Sequence, residues 1–191
     1  MTVMRLFIAL EMSESMCAAL AGLQNRFRQA GIRGRYSPEE NFHLTLAFLG
    51  EVPDPGPVIE ALDGVCFTPF ELELLGFGAF RGSWWGGVRE SVPLQSVARR
   101  IRRALDQTGI SFDKKAFRPH ITLLRKPVSS SGRPAVLPPV EPLPAAMTVE
   151  RFVLFRSDSG KNGMIYTPLA VFGADSGESQ LTGERTGNLR Y

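Results

Sequence analysis

The chain has 191 residues, of which 43% are hydrophobic and 21% charged, a composition typical of a folded globular protein and not of a disordered one. It contains no apolar run of about 18 residues or more, the length that a membrane-spanning helix requires. The net charge of +3 permits a phosphate-bearing ligand, but no Lys/Arg run is dense enough to suggest binding to long duplexes.

Apolar runs typical of strands alternate with segments of helical periodicity along most of the chain. The first half predicts a strand over 4–10, a helix capped by Ser13 and stopped by Gly31, a strand over 42–49 closed by Gly50, and a short helix ending near Gly64. The second half predicts strands at 70–75 and 84–89, a helix from Pro93 to Thr108, a strand at 120–125, a long loop over 127–144, and strands at 149–156 and 165–172.

An internal repeat stands out in this order of elements. A strand, a helix and then a strand that begins with the pattern H-x-T-L occur twice, with the pattern starting at His43 and again at His120. These two residues are the only histidines of the chain. Self-similarity of this kind indicates two related lobes, each presenting one histidine strand.

The repeated motif places polar side chains on one face of each strand. Residues i and i+2 of a strand point the same way, so His43 projects with Thr45, and His120 with Thr122. Imidazole has an unperturbed pKa of about 6.5 and can act as acid or base near neutral pH. Threonine hydroxyls can donate to phosphate oxygens on which charge accumulates. Two such strands side by side predict a groove that opens a cyclic phosphodiester with no metal and no cofactor.

The sequence resembles the 2H phosphoesterases, and among them the RNA 2',3'-cyclic phosphodiesterases, which are also called 2'-5' RNA ligases. The resemblance covers roughly residues 4–172 and is carried by the segments MRLFIALE (4–11), NFHLTLAFLG (41–50), FGAF (77–80), WWGGV (84–88), FRPHITLLR (117–125) and VLFRSDSGKNGMIYTPL (153–169). It implies an α+β fold with two pseudo-symmetric lobes, each an antiparallel sheet with outer helices, around a central cleft that carries the two H-x-T-L strands.

The resemblance also implies roles for individual residues. His43 is the expected general acid toward the 3' oxygen and His120 the expected activator of water, so that the product is a 2'-phosphate. Phe48 and Arg125, each five residues after a histidine, match positions that flank the nucleobase in the family. On a regular strand this odd spacing would turn both side chains away from the groove, unless a bulge or a strand end intervenes. Arg118, two residues before His120, shares the groove face and is a candidate phosphate contact.

These observations lead to an expected organisation of the whole protein. Residues 1–175 are expected to form a single bilobal domain, and 176–191 a flexible tail. Cys17 and Cys66 show no disulfide or zinc-site spacing, so we expect a reducing, cytoplasmic setting. The expected partner is an RNA end or oligonucleotide with a 2',3'-cyclic phosphate; no membrane, no cofactor and no obligate protein partner is expected, and the protein is expected to be a monomer.

Three readings of the site remain open at this stage. The first is the RNA phosphodiesterase, which could also run in reverse as a 2'-5' RNA ligase. The second keeps the chemistry but takes a small cyclic nucleotide or an ADP-ribose cyclic phosphate as substrate. The third is a non-catalytic module that binds RNA ends, which the retention of both histidines and both threonines disfavours because binding alone needs charge and stacking more than imidazole.

Overall fold

The computed structural model describes residues 3–80, 82–140, 144–161 and 163–175. The predicted tail, 176–191, lies outside these residues. Three α-helices and nine strands follow one another in the described part of the chain: β1 (Met4–Glu11), α1 (Glu14–Gln29), β2 (Arg33–Tyr36), β3 (His43–Val52), α2 (Gly56–Asp63), β4 (Phe70–Phe80), β5 (Ser83–Val88), α3 (Val92–Gln107), β6 (His120–Val128), β7 (Ala146–Val149), β8 (Arg151–Gly160) and β9 (Gly163–Gly173).

The strands form two antiparallel sheets. We call the sheet of four strands, in the order β3-β1-β8-β9, sheet 1, and the sheet of five strands, in the order β2-β6-β5-β4-β7, sheet 2. The repeat is visible in the pairing, since β3 pairs with β1 and β6 pairs with β5, in each case the strand that precedes the intervening helix. The predicted α+β architecture is therefore confirmed.

Each of the two long helices follows a strand of one sheet and packs against the other sheet. Helix α1 follows a strand of sheet 1 but covers sheet 2, where Phe27 packs edge-on against Trp84 at 5.0 Å. Helix α3 follows a strand of sheet 2 and contacts β3 of sheet 1. Side chains from both sheets and all three helices form one continuous buried cluster, which ties the two lobes together.

Several predicted boundaries are wrong for reasons of backbone conformation. Gly50 does not close its strand: it adopts a positive φ of 78° and pairs with Leu6, and β3 continues to Val52. Strand β4 likewise runs through Gly76 and Gly78 to Phe80. Strand β2 was not predicted, since its four polar and glycine-containing residues show no apolar alternation.

The C-terminal part shows two further differences. Strand β6 extends three residues beyond its predicted end, into the predicted loop. The predicted strand over 149–156 is divided between β7 and β8 at Glu150. Within the described residues, no helix combines the length and the apolar character needed to cross a membrane.

Candidate active site

The two histidine strands meet at a groove of about 520 Å³ between the sheets. Thr45 and Phe48 line it from sheet 1, and His120 lines it from sheet 2 together with Arg118, which precedes β6. His43 does not line this groove but lines a second, smaller cavity of about 220 Å³. The two histidines are close enough for the charge of His120 to act on the imidazole of His43. The structure thus brings both histidine strands of the sequence repeat to one cleft.

A β-bulge in β3 explains how Phe48 reaches the groove. In the pairing with β1, Thr45 lies opposite Ala9 and Ala47 opposite Ile8, so Leu46 has no partner of its own. Leu46 and Ala47 are consequently both buried, which breaks the alternation of the strand. One extra residue shifts the phase of the side chains that follow it, here as far as a second irregularity at Leu49. Phe48 therefore shares the groove face with Thr45, despite its odd spacing from the histidine.

The second histidine strand, β6, contains a matching β-bulge. Thr122 lies opposite Trp85 and Leu124 opposite Trp84, so Leu123 is the extra residue. Both Leu123 and Leu124 are buried, and Arg125 emerges on the face of Thr122. The matching bulges place the fifth residue after each histidine on the face of the threonine: Phe48 lines the groove, and Arg125 lies close enough to His43 to act on it electrostatically.

Gln24 of α1 donates hydrogen bonds to backbone carbonyls at the bulge in β6. Its side-chain amide Nε2 donates to the carbonyl of Leu123 at 2.9 Å and to that of Ser37 at 2.8 Å. The backbone N–H of Ser37 donates to the same Leu123 carbonyl at 2.9 Å. Gln24 is only 2% exposed, and a buried polar group of this kind is stable only when its hydrogen bonds are made. It is therefore a positioning residue for the strand that carries His120.

Both imidazoles are held in the same way. Nδ1 of His43 donates to the carbonyl of Asn41 at 2.8 Å, and Nδ1 of His120 donates to the carbonyl of Arg118 at 2.7 Å. A carbonyl oxygen can only accept, so each Nδ1 carries a proton. Nε2 of each ring is then the atom left to exchange a proton with a substrate. These two carbonyls are the orienting partners that the sequence did not identify.

Aromatic rings surround His43. Phe7 lies 4.9 Å from its ring centroid and Tyr166 packs edge-on at 5.1 Å. Burial lowers the pKa of His43 below its ordinary value, the hydrogen bond to Asn41 opposes this, and the positive charges of Arg125 and His120 lower the pKa further. The free protein therefore favours the neutral form of this imidazole.

His120 lies against Phe80, whose ring packs edge-on at 4.8 Å, and near Trp85 at 6.4 Å. Trp85 lies flat over Gly78, where an added Cβ would fall 2.4 Å from the indole. The two tryptophans of the WWGGV segment thus face opposite ways. Trp84 is buried in the core, while Trp85 is half-buried and packs against the rings of Phe80 and His120.

The charged groups of the cleft come from several elements. Arg5 of β1 lies over the Phe48 ring at 5.0 Å. Arg125 is exposed and near enough to His43 and Tyr166 to affect both side chains electrostatically. Arg102 of α3 donates to the carbonyls of Lys115 and Asp113 and so fixes the loop that leads to His120.

The residues proposed from sequence divide between the two cavities, and Arg125 lines neither. The groove is lined by Thr45, Phe48, Arg118 and His120, and the smaller cavity by His43. Thr122 follows His120 on the same face of β6 but does not line the 520 Å³ groove. The residues missed are Arg5, Phe7, Gln24, Asn41 and Tyr166. Gln24 had a signal, since it is the polar residue within the apolar stripe of α1. Across the described ranges, no group of three or more His, Cys, Asp or Glu side chains is placed to hold a metal ion.

Comparisons with known proteins agree with this geometry. A model of the 2'-5' RNA ligase superfamily matches residues 13–161. An RNA 2',3'-cyclic phosphodiesterase of Geobacillus stearothermophilus is 37% identical over 79% of this chain, and the chain spans 51% of that protein's length. One of Thermotoga maritima is 30% identical over 87% of this chain and 93% of its own length. The crystal structure of Escherichia coli LigT complexed with 3'-AMP matches with a TM-score of 0.79 and 27% identity, covering 91% of this chain and 99% of that one.

Proposed function

The chain belongs to the 2'-5' RNA ligase superfamily, and we propose that it hydrolyses 2',3'-cyclic phosphate ends of RNA to 2'-phosphomonoesters. The observation that carries the proposal is the pair of imidazoles held alike by backbone carbonyls, each on a bulged H-x-T-L strand. The relatives named RNA 2',3'-cyclic phosphodiesterase support the choice of RNA as substrate. The nucleotide named in the Escherichia coli LigT structure supports a nucleoside site in the cleft.

In the proposed reaction, Nε2 of His120 takes a proton from water as the water oxygen attacks the phosphorus. The P–O3' bond breaks, and protonated Nε2 of His43 donates its proton to the departing 3' oxygen. Thr45 and Thr122 donate their hydroxyl protons to the non-bridging oxygens, which carry the growing negative charge. In the proposed ligation a 5'-hydroxyl takes the place of water: Nε2 of His120 takes its proton as the 5' oxygen attacks the cyclic phosphate, the P–O3' bond breaks, and Nε2 of His43 protonates the 3' oxygen, which leaves a 2'-5' linkage. This is the reverse of the cleavage of a 2'-5' phosphodiester, in which the two imidazoles exchange roles.

The lowered pKa of His43 is compatible with a role as general acid only when the substrate is bound. A general acid must hold its proton when the leaving oxygen departs. The anionic cyclic phosphate supplies a negative charge beside the imidazole, which favours the imidazolium and offsets the burial and the charge of Arg125. Phe48 and Arg125 are proposed to hold the terminal nucleoside by stacking, and Arg118 to contact phosphate.

The proposal extends to the protein as a whole. We propose a single bilobal domain over 1–175, supported by the continuous core that joins the sheets. A monomer in a reducing, cytoplasmic compartment is proposed as well, supported by the free thiols of Cys17 and Cys66.

Product analysis tests the function directly. An oligonucleotide with a 2',3'-cyclic phosphate end, incubated with the protein and a chelator, should yield a 2'-phosphate. H43A and H120A should each lower kcat by roughly 100-fold or more, the usual contribution of a positioned acid or base, while their thermal unfolding stays cooperative. Full turnover in both variants would contradict the two-histidine mechanism. Turnover of ADP-ribose cyclic phosphate or mononucleotides in preference to RNA would favour the small-molecule reading, and binding without turnover the non-catalytic one.

A further inference from the structure

An uncompensated pair of arginines lies at the edge of sheet 2 beside the cleft. Arg35 of β2 is paired directly with Arg125 of β6. Directly opposed residues of an antiparallel pair point to the same face of the sheet, so Arg35 shares the face on which Arg125 acts on His43 and Tyr166. Strand β2 is the outermost strand on this side, about 4.8 Å beyond β6. Arg35 is therefore an exposed cation beside Arg125 at the edge of the sheet.

Two local features hold Arg35 in this place. Gly34 lets β2 approach β6 closely, because a Cβ there would fall 2.8 Å from the Leu124 side chain and from the carbonyl of Lys126. Its φ of 151° is also one that other residues rarely adopt. Beyond Arg35, the N–H of Ser37 is bonded to the Leu123 carbonyl. The position of Arg35 is thus set by backbone contacts on both sides.

The pair has no counter-charge in the described part of the chain. The ion pairs there involve other residues, and neither guanidinium has a hydrogen-bond partner within those ranges. Like charges directly opposite one another on a sheet are destabilising. An anion between or beside the two guanidinium groups would remove that repulsion.

We propose that Arg35 binds the phosphodiester that joins the terminal nucleotide to the nucleotide before it, so that the enzyme favours oligonucleotides over mononucleotides. This inference rests on the proposed function, which already places a nucleoside beside Arg125. The chain of an RNA leaves its terminal nucleotide through that phosphodiester, and the edge of sheet 2 offers it an exposed cation. A contact of this kind positions the backbone without reading the base, which suits an enzyme acting on RNA ends.

The test compares three substrates: adenosine 2',3'-cyclic phosphate, a trinucleotide with the same end, and that trinucleotide with an uncharged methylphosphonate as its last internucleotide linkage. The measured quantity is the ratio of kcat/KM for the trinucleotide to that for the mononucleotide. R35A should lower this ratio about fivefold to tenfold at low salt, the effect of an exposed charge-assisted contact, and R35K by less. R99A removes the same charge from the outer helix α3, where Arg99 is exposed, and should leave the ratio unchanged.

The methylphosphonate distinguishes a direct contact from a general effect of charge. It should lower kcat/KM in the unmodified protein by about the factor that R35A does, and cause no further loss in R35A, because both changes remove one interaction. The slope of log(kcat/KM) for the trinucleotide against log[salt] should also become less steep by about 0.7, the value for one phosphate contact on a single strand.

An unchanged ratio in R35A, or an equal methylphosphonate penalty with and without Arg35, would overturn the inference. So would an R35A protein that aggregates while its soluble fraction keeps the ratio, since charges on edge strands also prevent sheet-to-sheet association. Anisotropy measurements with a fluorescent trinucleotide ending in a 2'-phosphate repeat the comparison without turnover. If the unmodified protein cleaves none of the three substrates, the proposed function fails, while these binding measurements still decide whether Arg35 holds the phosphodiester.

Discussion

The buried amide of Gln24 should matter both for stability and for the cleft, and Gln24→Met tests this at nearly constant side-chain volume. The substitution removes the donor to the carbonyls of Leu123 and Ser37. Leu123 keeps one donor, the N–H of Ser37, whereas the Ser37 carbonyl loses the only donor it has among the described residues. Two hydrogen bonds at roughly 1 kcal/mol each give a loss of about 2 kcal/mol in the free energy of unfolding.

For a domain of this size, about 2 kcal/mol corresponds to a decrease in Tm of roughly 4–8 °C. Circular dichroism measures that shift, and urea unfolding gives the free energy independently. Gln29→Met in the same helix is the matched control, because Gln29 is exposed, and it should leave the Tm within about 1 °C. Since the bulge at Leu123 turns Arg125 toward the cleft, Q24M should also raise KM for adenosine 2',3'-cyclic phosphate. Equal Tm values for the Gln24 and Gln29 variants would refute this account of the bulge.

Two further predictions concern the surroundings of the histidines. NMR titration should place the pKa of His43 below about 6.5, and R125A should raise that pKa because it removes a charge that disfavours the imidazolium; no change would show that burial alone sets the value. On acidification the unfolded chain protonates this imidazole at a higher pH than the folded chain does. The neutral imidazole therefore stabilises the fold above about pH 6.5, and this contribution is lost as the pH falls through the folded-state pKa. G78A should lower the free energy of unfolding by about 1–3 kcal/mol and reduce turnover, since the new Cβ would displace Trp85. Adding W85F to G78A should restore part of the stability. The control is G64A, where an added Cβ would meet no atom within 4 Å, and it should lower the free energy of unfolding far less. Equal losses in G64A and G78A would count against the steric explanation.

The lobes were predictable because the signals that encode them are local. Strand alternation made His43 and Thr45 share a face, and the second copy at His120 indicated a pair of strands rather than a chance motif. The cap of α1 was equally local, and Ser13 accepts a hydrogen bond from the N–H of Met16 at the helix start. The same reasoning failed at β2, where Arg33–Tyr36 is a strand only because β6 provides the hydrogen-bonding partner.

The amino-acid sequence by itself therefore indicated the two histidine strands with their threonines and the two related lobes, since each depends on the spacing of neighbouring residues, while the α+β class followed from the family resemblance. Only the tertiary structure decided that Leu46 and Leu123 are extra residues in their strands, because a bulge is defined by the partner strand. That register turns Phe48 to the face of Thr45 and Arg125 to the face of Thr122, against the parity of a regular strand. The tertiary structure also decided which groups orient and flank the site, because these contacts join residues that are distant in the chain. They are the amide of Gln24, the carbonyls behind each imidazole and the pairing of Arg35 with Arg125.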